Sequence, residues 1–467
     1  MISKGSKISG NSSATHYGSA LSGRLLLRFS QRLRRSNALA LLKQIEKSPF
    51  TARENVSILQ WSLLSEMLDH AEKRVPYYRE LFRSLGITSD DIRSPNDFAQ
   101  LPVLTKDIIR ERQREMVRED VPIDTLLQHH SGGSTGIPLS FYREREYIDM
   151  SDAGTFRNLL QAGWIPGEMI AFFWGATDRL NQMSRWQFEL RQALRRMYQF
   201  DPFHSGPTEM SIWLKRWGAL RPAVALGYAS TIARFAEFIE RGGRSVAPLR
   251  GVFTTAEKLY PAQRETISRV FGCQVFDLYG SSEVQNIAAE CAAGSMHINA
   301  DFVVVETDDQ AANPEGGKPL ILTSLRNFAM PFIRYRNEDC GDLVPGHCSC
   351  SNNFPLMRLN ISRVSDNFVL PGGRVVHGEF FTHLMYGTKG IANFQFHQTA
   401  RNAITLWVVP GTGENANSEA REAAVKAAVR QIRALDPDHD IRVDVRETET
   451  LSLSGAGKHR FTRSDIN

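Results

Sequence analysis

The sequence predicts an α/β fold with a large N-terminal domain of helix-covered sheets and a small α+β domain at the C-terminus. Three observations support this prediction: the chain length, an alternation of strand-like and helix-like segments, and a change of pattern near the C-terminus. The chain has 467 residues. Single domains usually contain about 50–250 residues, so this length favours at least two domains.

Short apolar runs alternate with segments of helical periodicity through the middle of the chain. Such alternation favours a sheet that is covered by helices on both faces. Strands are predicted at 169–174, 223–226, 252–255, 274–278, 302–306 and 320–323. Helices are predicted at 186–198 and 231–241, and the apolar spacing from 55 to 86 is helical as well.

The C-terminal segment has a different pattern. Two strands are predicted at 392–397 and 403–409, an Ala-rich helix at 418–435, and a further strand at 441–445. About 100 residues can bury a modest core of their own. We therefore predict a basic N-terminal arm with a short helix at 1–50, a large domain at 51–363 and a small mobile domain at 364–467.

Composition and charge restrict the class of protein. The hydrophobic fraction of 42% and the charged fraction of 23% are ordinary for a globular protein. No apolar run approaches the length of a membrane span, so we predict no transmembrane segment. The five cysteines form an odd set, which favours a reducing compartment, and we predict a cytoplasmic location.

The N-terminal arm is strongly basic. The net charge of the chain is +5, and no acidic residue precedes Glu46. Such an arm is compatible with a transit peptide, with a patch for anionic lipid or nucleic acid, or with a solvated tail. The body of the chain lacks the basic stripe and the aromatic residues of a nucleic-acid site, so we predict no nucleic-acid partner.

A Gly-rich loop is the sharpest local motif. Its residues are Ser131, Gly132, Gly133, Ser134, Thr135 and Gly136. Backbone N–H groups of such a loop, together with Ser and Thr hydroxyls, form a concave site for a phosphate group. The spacing differs from that of the Walker loop. A Ser/Gly run also occurs in simple turns, so the neighbouring motifs decide its interpretation.

The order of several motifs resembles the adenylate-forming superfamily, and most closely its phenylacetate–coenzyme A ligase and CapK branch. The resemblance extends from about residue 74 to residue 460. The motifs are Val75-Pro76-Tyr77-Tyr78-Arg79, Leu101-Pro102-Val103-Leu104-Thr105-Lys106, the Gly-rich loop, and Tyr279-Gly280-Ser281-Ser282-Glu283. The resemblance implies ATP- and magnesium-dependent adenylation of a carboxylic acid, with release of pyrophosphate. It also implies transfer of the acyl group to a thiol, commonly that of coenzyme A.

The resemblance also implies a nucleotide site. The Tyr279 ring would stack on adenine, the Glu283 carboxylate would bind magnesium, and Asp339 would hold the ribose hydroxyls. Asp342 is the alternative ribose ligand, because Asn337 and Glu338 replace the Thr-Gly that is usual in the family. The other residues implied at adenine and ribose are Thr255, Ala256, Glu257, Gly280, Ser281 and Ser282.

Three further groups complete the expected site. Trp174, Tyr228 and Ser230 are expected at the acyl pocket, although the two aromatic rings are equally compatible with core packing. Arg363 and Asp366 resemble the family's hinge, in which Ser362 replaces a glycine. Lys458 resembles the catalytic lysine of the small domain. It would contact the carboxylate and the α-phosphate.

A metal site is a separate hypothesis. A Cys₃His ligand set for structural zinc is formed by Cys291, His297, Cys348 and Cys350. Cys340 is a spare candidate. The alternative is a group of small buried thiols beside an unrelated histidine. Some members of the branch carry cysteine pairs in this region, which favours zinc.

Two other functions are compatible with the sequence. One is a degenerate homologue that binds a nucleotide or an acyl ligand without turnover. This alternative is suggested by departures from the family pattern at Ile137, Asn337, Glu338 and Ser362. Transfer to an amine or a hydroxyl, in polysaccharide or cofactor biosynthesis, is the other alternative. The sequence identifies neither the carboxylic acid nor the oligomeric state, for which a homodimer is one option.

Overall fold

The computed structural model describes residues 12–130, 139–175, 184–202, 205–257, 259–309, 318–361, 368–376, 378–385, 388–411, 417–449, 451 and 461–466. The helices longer than one turn are α1 (Ser12–Arg34), α2 (Ala38–Ile45), α3 (Arg53–Arg74), α4 (Pro76–Leu85), α5 (Pro95–Ala99), α6 (Lys106–Glu111), α7 (Arg145–Leu160), α8 (Arg185–Arg195), α9 (Pro207–Leu220), α10 (Ala229–Arg241), α11 (Pro261–Phe271), α12 (Gly378–Met385) and α13 (Ser418–Ala434).

The strands follow the predicted alternation closely. They are β1 (Leu127–His130), β2 (Ser140–Arg143), β3 (Ile170–Phe173), β4 (Met197–Phe200), β5 (Val224–Tyr228), β6 (Gly251–Thr255), β7 (Gln274–Tyr279), β8 (Ala288–Glu290), β9 (Met296–Ile298), β10 (Val303–Thr307), β11 (Lys318–Ser324), β12 (Tyr335–Val344), β13 (Leu356–Ile361), β14 (Phe368–Val369), β15 (Val375–Val376), β16 (Ile391–Ala400), β17 (Ala403–Pro410), β18 (Arg442–Glu447) and β19 (Thr462–Ser464).

An 11-stranded sheet forms the centre of the large N-terminal part. Its strand order is β10-β11-β12-β13-β9-β8-β7-β6-β5-β3-β4. The strands from β4 to β7 run parallel, and the others pair antiparallel. The predicted α/β class is confirmed.

Helices cover the parallel half of the sheet on both faces because its strands are apolar on both sides. Ala171 and Phe173 pack on one face with Phe235, and Ile170 packs on the other face with Phe156. The antiparallel half packs against α3 and α4 through a third cluster of buried side chains. The sheet is therefore packed on both faces, and the ends of its strands remain as the place where a ligand can bind.

The C-terminal segment has its own sheet, in the order β18-β17-β16-β19. Helices α12 and α13 cover this sheet, and residues from Phe368 to Phe461 form a separate apolar core. The predicted boundary between 363 and 364 lies outside the described residues and stays a prediction.

The N-terminal segment contains more helix than the sequence analysis predicted. Residues Ser12–Arg34 form one helix of 23 residues, which packs against α8, and α2 packs against α7. Leu27 and Leu42 are buried in these contacts. Among the described residues, no helix combines the length and the apolarity needed to cross a membrane.

Two element predictions were wrong in detail. The predicted helix at 186–198 ends at Arg195, and the following residues form the edge strand β4. The predicted helical segment at 55–86 is two helices, because Val75 is extended before Pro76. A residue that precedes proline is biased away from the helical conformation, which explains the break.

A buried ion pair joins α7 to the turn before β10. The Arg157 guanidinium donates from Nη1 and Nη2 to the Asp301 carboxylate at 2.6 Å and 3.0 Å. Arg157 also donates to the Asn299 side-chain oxygen at 2.9 Å. Both charged side chains are at most 5% exposed.

Replacing Asp301 with alanine should destabilise the large domain by about 3–5 kcal/mol, because the Arg157 charge would remain buried without its partner. Urea denaturation followed by tryptophan fluorescence measures this loss. The matched control is Glu240→Gln, which breaks an exposed ion pair with Arg269 and should change the unfolding midpoint far less. A loss below about 1 kcal/mol for Asp301→Ala would contradict this account.

Candidate active site

Four of the predicted site residues lie at the same end of the parallel strands. Trp174 directly follows β3, Tyr228 ends β5, Thr255 ends β6 and Tyr279 ends β7. Ligands of open α/β sheets bind outside the carboxyl ends of the strands. The structure therefore brings together residues that the sequence separates by about a hundred positions.

Two aromatic rings form a flat wall at this end of the sheet. The Trp174 and Tyr228 rings stack with their centroids 4.6 Å apart and their planes at 18°. Phe172 also stacks with Trp174, with centroids 5.6 Å apart and planes at 3°. Stacked rings are rigid and apolar, so this wall suits the body of a small organic acid.

A polar group lies beside the aromatic wall. Ser230 donates to the Glu257 carboxylate from its backbone nitrogen at 2.7 Å and from its hydroxyl at 3.0 Å. Ser230 lies in the first turn of α10, where a carboxylate is favourable. Desolvation lowers the pKa of Arg234 to about 10, and the charge of Glu257 opposes this shift.

Ala256 has an unusual backbone conformation. Its φ is +67°, in the left-handed region that L-residues other than glycine rarely adopt. Such a conformation costs about 1–2 kcal/mol and persists only where the surroundings impose it. The turn after β6 is thus held in one shape between Thr255 and Glu257.

Tyr279 and Asp339 share a buried hydrogen-bond network. The Tyr279 hydroxyl donates to Asp339 Oδ2 at 2.9 Å. Asn337 Nδ2 donates to the Tyr279 hydroxyl and to Asp339 Oδ2, both at 2.8 Å. Asn337 thus connects two predicted nucleotide residues, which the sequence analysis did not foresee. Asp342, the alternative, lies opposite Arg358 in the β12–β13 pairing.

Glu283 is fully buried, and within the described part of the chain one of its oxygens lacks a hydrogen-bond partner. Its Oε1 accepts a hydrogen bond from the Tyr335 hydroxyl at 3.4 Å. Its Oε2 has no hydrogen-bond partner among the described residues. A buried acceptor without a partner is costly, and a cation would satisfy it. The residues present therefore fit a magnesium ion, which prefers carboxylate oxygen.

Arg143 is a further site residue that the sequence analysis missed. It ends β2 and donates a hydrogen bond from Nη2 to the Ser282 carbonyl. Its guanidinium lies over the rings of Phe141 and Tyr147, 4.9 Å and 5.4 Å from their centroids. Burial lowers the pKa of Arg143, and the charge of Glu283 opposes this shift. Arg143 joins the strand after the Gly-rich loop to the turn that carries Glu283.

The beginning of β12 is fixed by the two motifs that precede the Gly-rich loop. The Tyr78 hydroxyl donates to the Pro331 carbonyl at 2.8 Å and accepts from the Ile333 nitrogen at 3.2 Å. The Leu104 backbone pairs with Arg334 and Arg336 at 2.9 Å and 3.0 Å. These motifs therefore support the strand that carries Asn337 and Asp339.

Arg334 is the central residue of this support. Its side chain is buried and donates to the backbone carbonyls of Ala99 and Leu101. It also forms an ion pair with Glu306 at 3.2 Å. Its φ is +52°, so the chain turns sharply as it enters the strand.

Several predicted site residues lie outside the described part of the chain. They are Ser131, Gly132, Gly133, Ser134, Thr135, Gly136, Arg363, Asp366 and Lys458. Their roles stay predictions.

The predicted Cys₃His residues form one compact group. Cys291 follows β8, His297 lies in β9, and Cys348 and Cys350 lie between β12 and β13. Their ligand atoms all lie within 4.8 Å of one another. Cys340, the spare candidate, is not a member of this group in the described part of the chain.

The distances within the group fit a tetrahedral metal. The Sγ atoms of Cys291 and Cys348 are 3.6 Å apart, and zinc–sulfur bonds of about 2.3 Å place tetrahedral sulfurs about 3.8 Å apart. His297 Nδ1 lies 2.9 Å from the Phe354 carbonyl. Because that carbonyl only accepts, Nδ1 carries the proton, and Nε2 presents its lone pair to Cys350 Sγ at 3.3 Å.

Comparisons with known proteins agree with the motifs. The chain is 29% identical over 311 residues to the phenylacetate–coenzyme A ligase of Escherichia coli strain K12, covering 63% of this chain and 68% of the relative. It is 23% identical over 383 residues to protein CapK of Staphylococcus aureus, covering 77% and 80%. No protein-family model matches the chain.

A solved structure shares the fold. The 2-hydroxyisobutyryl-CoA ligase, crystallised with 2-HIB-AMP and CoA, superposes with a TM-score of 0.60 at 18% identity, covering 90% of this chain and 92% of that one. At this identity the likeness establishes the fold alone. The chain is thus similar in sequence to a phenylacetate–coenzyme A ligase and to CapK, and it shares its fold with a 2-hydroxyisobutyryl-CoA ligase.

Proposed function

We propose that this protein is an ATP- and magnesium-dependent ligase that converts a carboxylic acid to an acyl-AMP and then transfers the acyl group to the thiol of coenzyme A. The observation that carries the proposal is the buried Glu283 carboxylate, whose Oε2 has no hydrogen-bond partner among the described residues. Glu283 lies in the turn that follows β7, which ends at Tyr279, and its partner Tyr335 begins the strand that carries Asp339. A cation and a nucleotide can be held together there.

The relatives support both halves of the proposed reaction. A sequence relative is a coenzyme A ligase by name. The ligase that shares the fold binds 2-HIB-AMP and CoA together. An acyl-adenylate and a thiol acceptor are therefore the natural intermediate and co-substrate to test.

The first step needs positioning more than covalent help. One oxygen of the substrate carboxylate bonds to the α-phosphorus of ATP, the bond from that phosphorus to its bridging oxygen breaks, and pyrophosphate leaves. The carboxylate is already ionised at neutral pH, so no general base is required. We assign adenine to the Tyr279 ring, the ribose hydroxyls to Asp339, and the acid to the Trp174–Tyr228 wall.

Charge must be neutralised as the pyrophosphate departs. Magnesium bound at Glu283 would supply positive charge to the phosphate oxygens. We assign the phosphates to the loop at 131–136 and the α-phosphate to Lys458, whose flexible stem suits a mobile contact. Rotation of the small domain at Arg363 and Asp366 would then admit the thiol.

The second step breaks the acyl–phosphate bond. The thiol loses its proton to solvent, its sulfur bonds to the acyl carbon, and AMP leaves with the shared oxygen and the electron pair.

Asn337 weighs against the degenerate alternative, in which the protein binds a nucleotide or an acyl ligand without turnover. This residue departs from the family pattern, yet its amide hydrogen-bonds to both Tyr279 and Asp339, so the departure is compatible with a working site.

We also propose that the Cys₃His group holds a structural zinc ion. The ligand set is closed, and the His297 ring is oriented by the Phe354 carbonyl, as expected for a structural site. The metal would join the turn between β8 and β9 to the loop between β12 and β13.

Replacing Glu283 with glutamine should reduce pyrophosphate release by about 100-fold or more, because the metal loses its charged ligand. The assay measures pyrophosphate release from ATP in the presence of a panel of carboxylic acids. Glu265→Gln, at an exposed position of α11, is the matched control. Equal rates for the wild type and Glu283→Gln would refute the assignment, and no acid-dependent release from folded wild-type protein would favour the degenerate alternative.

Lys458→Ala should slow adenylation by about 100-fold and leave thioester formation from a supplied acyl-AMP nearly unchanged, because the lysine acts only on the α-phosphate step. The two half-reactions are measured separately. The control is Lys426→Ala, an exposed position on α13. Equal losses in both half-reactions would contradict the assigned role.

Zinc should be present in purified protein at about one equivalent and should be lost in Cys348→Ser. Metal analysis by mass spectrometry gives the content, and thermal unfolding with and without a chelator gives the stabilisation. Cys273→Ser, outside the group, is the control and should retain the metal. Wild-type zinc content in Cys348→Ser would exclude this ligand set.

A further inference from the structure

Helix α1 presents an apolar row and a basic row to solvent. Leu25, Phe29 and Leu33 follow one another at four-residue spacing and are 54–67% exposed. Arg24, Arg28 and Arg32 are exposed at the same spacing beside them. Residues four apart lie on one face of a helix, so the two rows run parallel along its outer surface.

Close packing fixes which face of α1 points outward. Gly23 lies against the backbone of Gly167, so closely that a Cβ atom at Gly23 would clash with the Gly167 carbonyl oxygen. Leu27 is buried on the same side of the helix. The apolar row of α1 is therefore held away from the core.

Helix α8 extends the apolar surface. Trp186 is 67% exposed, and Leu190, one turn later, is 51% exposed. Together with Leu33 and Leu194 these side chains line a groove of about 770 Å³ between α1, α7 and α8. Exposed apolar side chains that are scattered singly are normal, whereas a contiguous group of this kind indicates an interaction surface.

The charge of this surface is positive. The segment before Glu46 carries no acidic residue. Two carboxylates, those of Asp149 and Asp152, line the groove together with the guanidinium groups of Arg34, Arg145, Arg191 and Arg195. Asp149 accepts from the Ser36 hydroxyl at 2.6 Å and from the Asn37 nitrogen at 2.8 Å. Burial raises the pKa of Asp152, and the charges of Arg195 and Arg34 oppose this shift.

We propose that this surface, formed by residues 24–33 of α1 and by Trp186 and Leu190 of α8, binds an anionic lipid bilayer. The apolar row would enter the boundary between headgroups and acyl chains, and the arginine row would contact lipid phosphates. A tryptophan beside the apolar row suits this boundary, because its ring is apolar and its N–H is polar. The proposal is independent of the reaction that the protein catalyses.

The test is co-sedimentation of the full-length protein with vesicles. One set contains phosphatidylcholine alone, and the other also contains about 30% phosphatidylglycerol, which gives its surface a negative potential. We expect binding to the anionic vesicles that is at least about tenfold stronger and that weakens at high salt. Equal binding to both vesicles, or none to either, would overturn the proposal.

Two sets of variants separate the apolar and the basic rows. Phe29→Glu with Leu33→Glu should abolish vesicle binding, whereas Ile58→Glu, at a comparably exposed site on α3, should not. Replacing any one arginine of the basic row with glutamine should weaken binding to anionic vesicles by about fivefold. Circular dichroism and pyrophosphate release confirm that each variant is folded.

The same variants test for a protein partner. If Phe29→Glu with Leu33→Glu leaves vesicle binding intact and instead changes the oligomeric state in sedimentation velocity, the surface joins copies of this chain. That result would overturn the lipid proposal.

Discussion

The proposed active site depends on how the chain enters β12. The buried Arg334 guanidinium holds the carbonyls of Ala99 and Leu101, and the Tyr78 hydroxyl bridges Pro331 and Ile333. Along the strand that follows, the Tyr335 hydroxyl donates a hydrogen bond to Glu283, and Asp339 accepts one from the Tyr279 hydroxyl. The buried polar groups that begin the strand therefore determine where the proposed magnesium and ribose ligands lie.

The Cys₃His group lies toward the other end of the same strands. Cys291 follows β8, which pairs with β7, the strand that carries Tyr279. Cys348 and Cys350 precede β13, which pairs with β12, the strand that carries Asp339. A metal ion bound to this group would join the two hairpins. Small shifts between Tyr279 and Asp339 would then be resisted at both ends of the sheet.

Much of the fold and of the candidate site was predictable because local patterns encode it. Apolar runs predicted the parallel strands, and the residues at their ends, such as Tyr228 and Tyr279, lie at the same edge of the sheet. The role of Tyr78 was not predictable, because its partners lie about 250 residues away. The same holds for Asn337 and Arg143, whose contacts exist only after the sheet has formed. The strand β4 was missed because Met197–Phe200 continues the helical pattern before it.

The most direct test of this account is the affinity of Tyr78→Phe for ATP·Mg, measured by isothermal titration calorimetry. The substitution removes only a hydroxyl that is remote in sequence from every proposed nucleotide residue. The account predicts a folded protein whose dissociation constant for ATP is raised by about tenfold, as expected when about 1–1.5 kcal/mol of hydrogen bonding is lost from the strand entry. An unchanged dissociation constant would contradict the dependence of the site on β12.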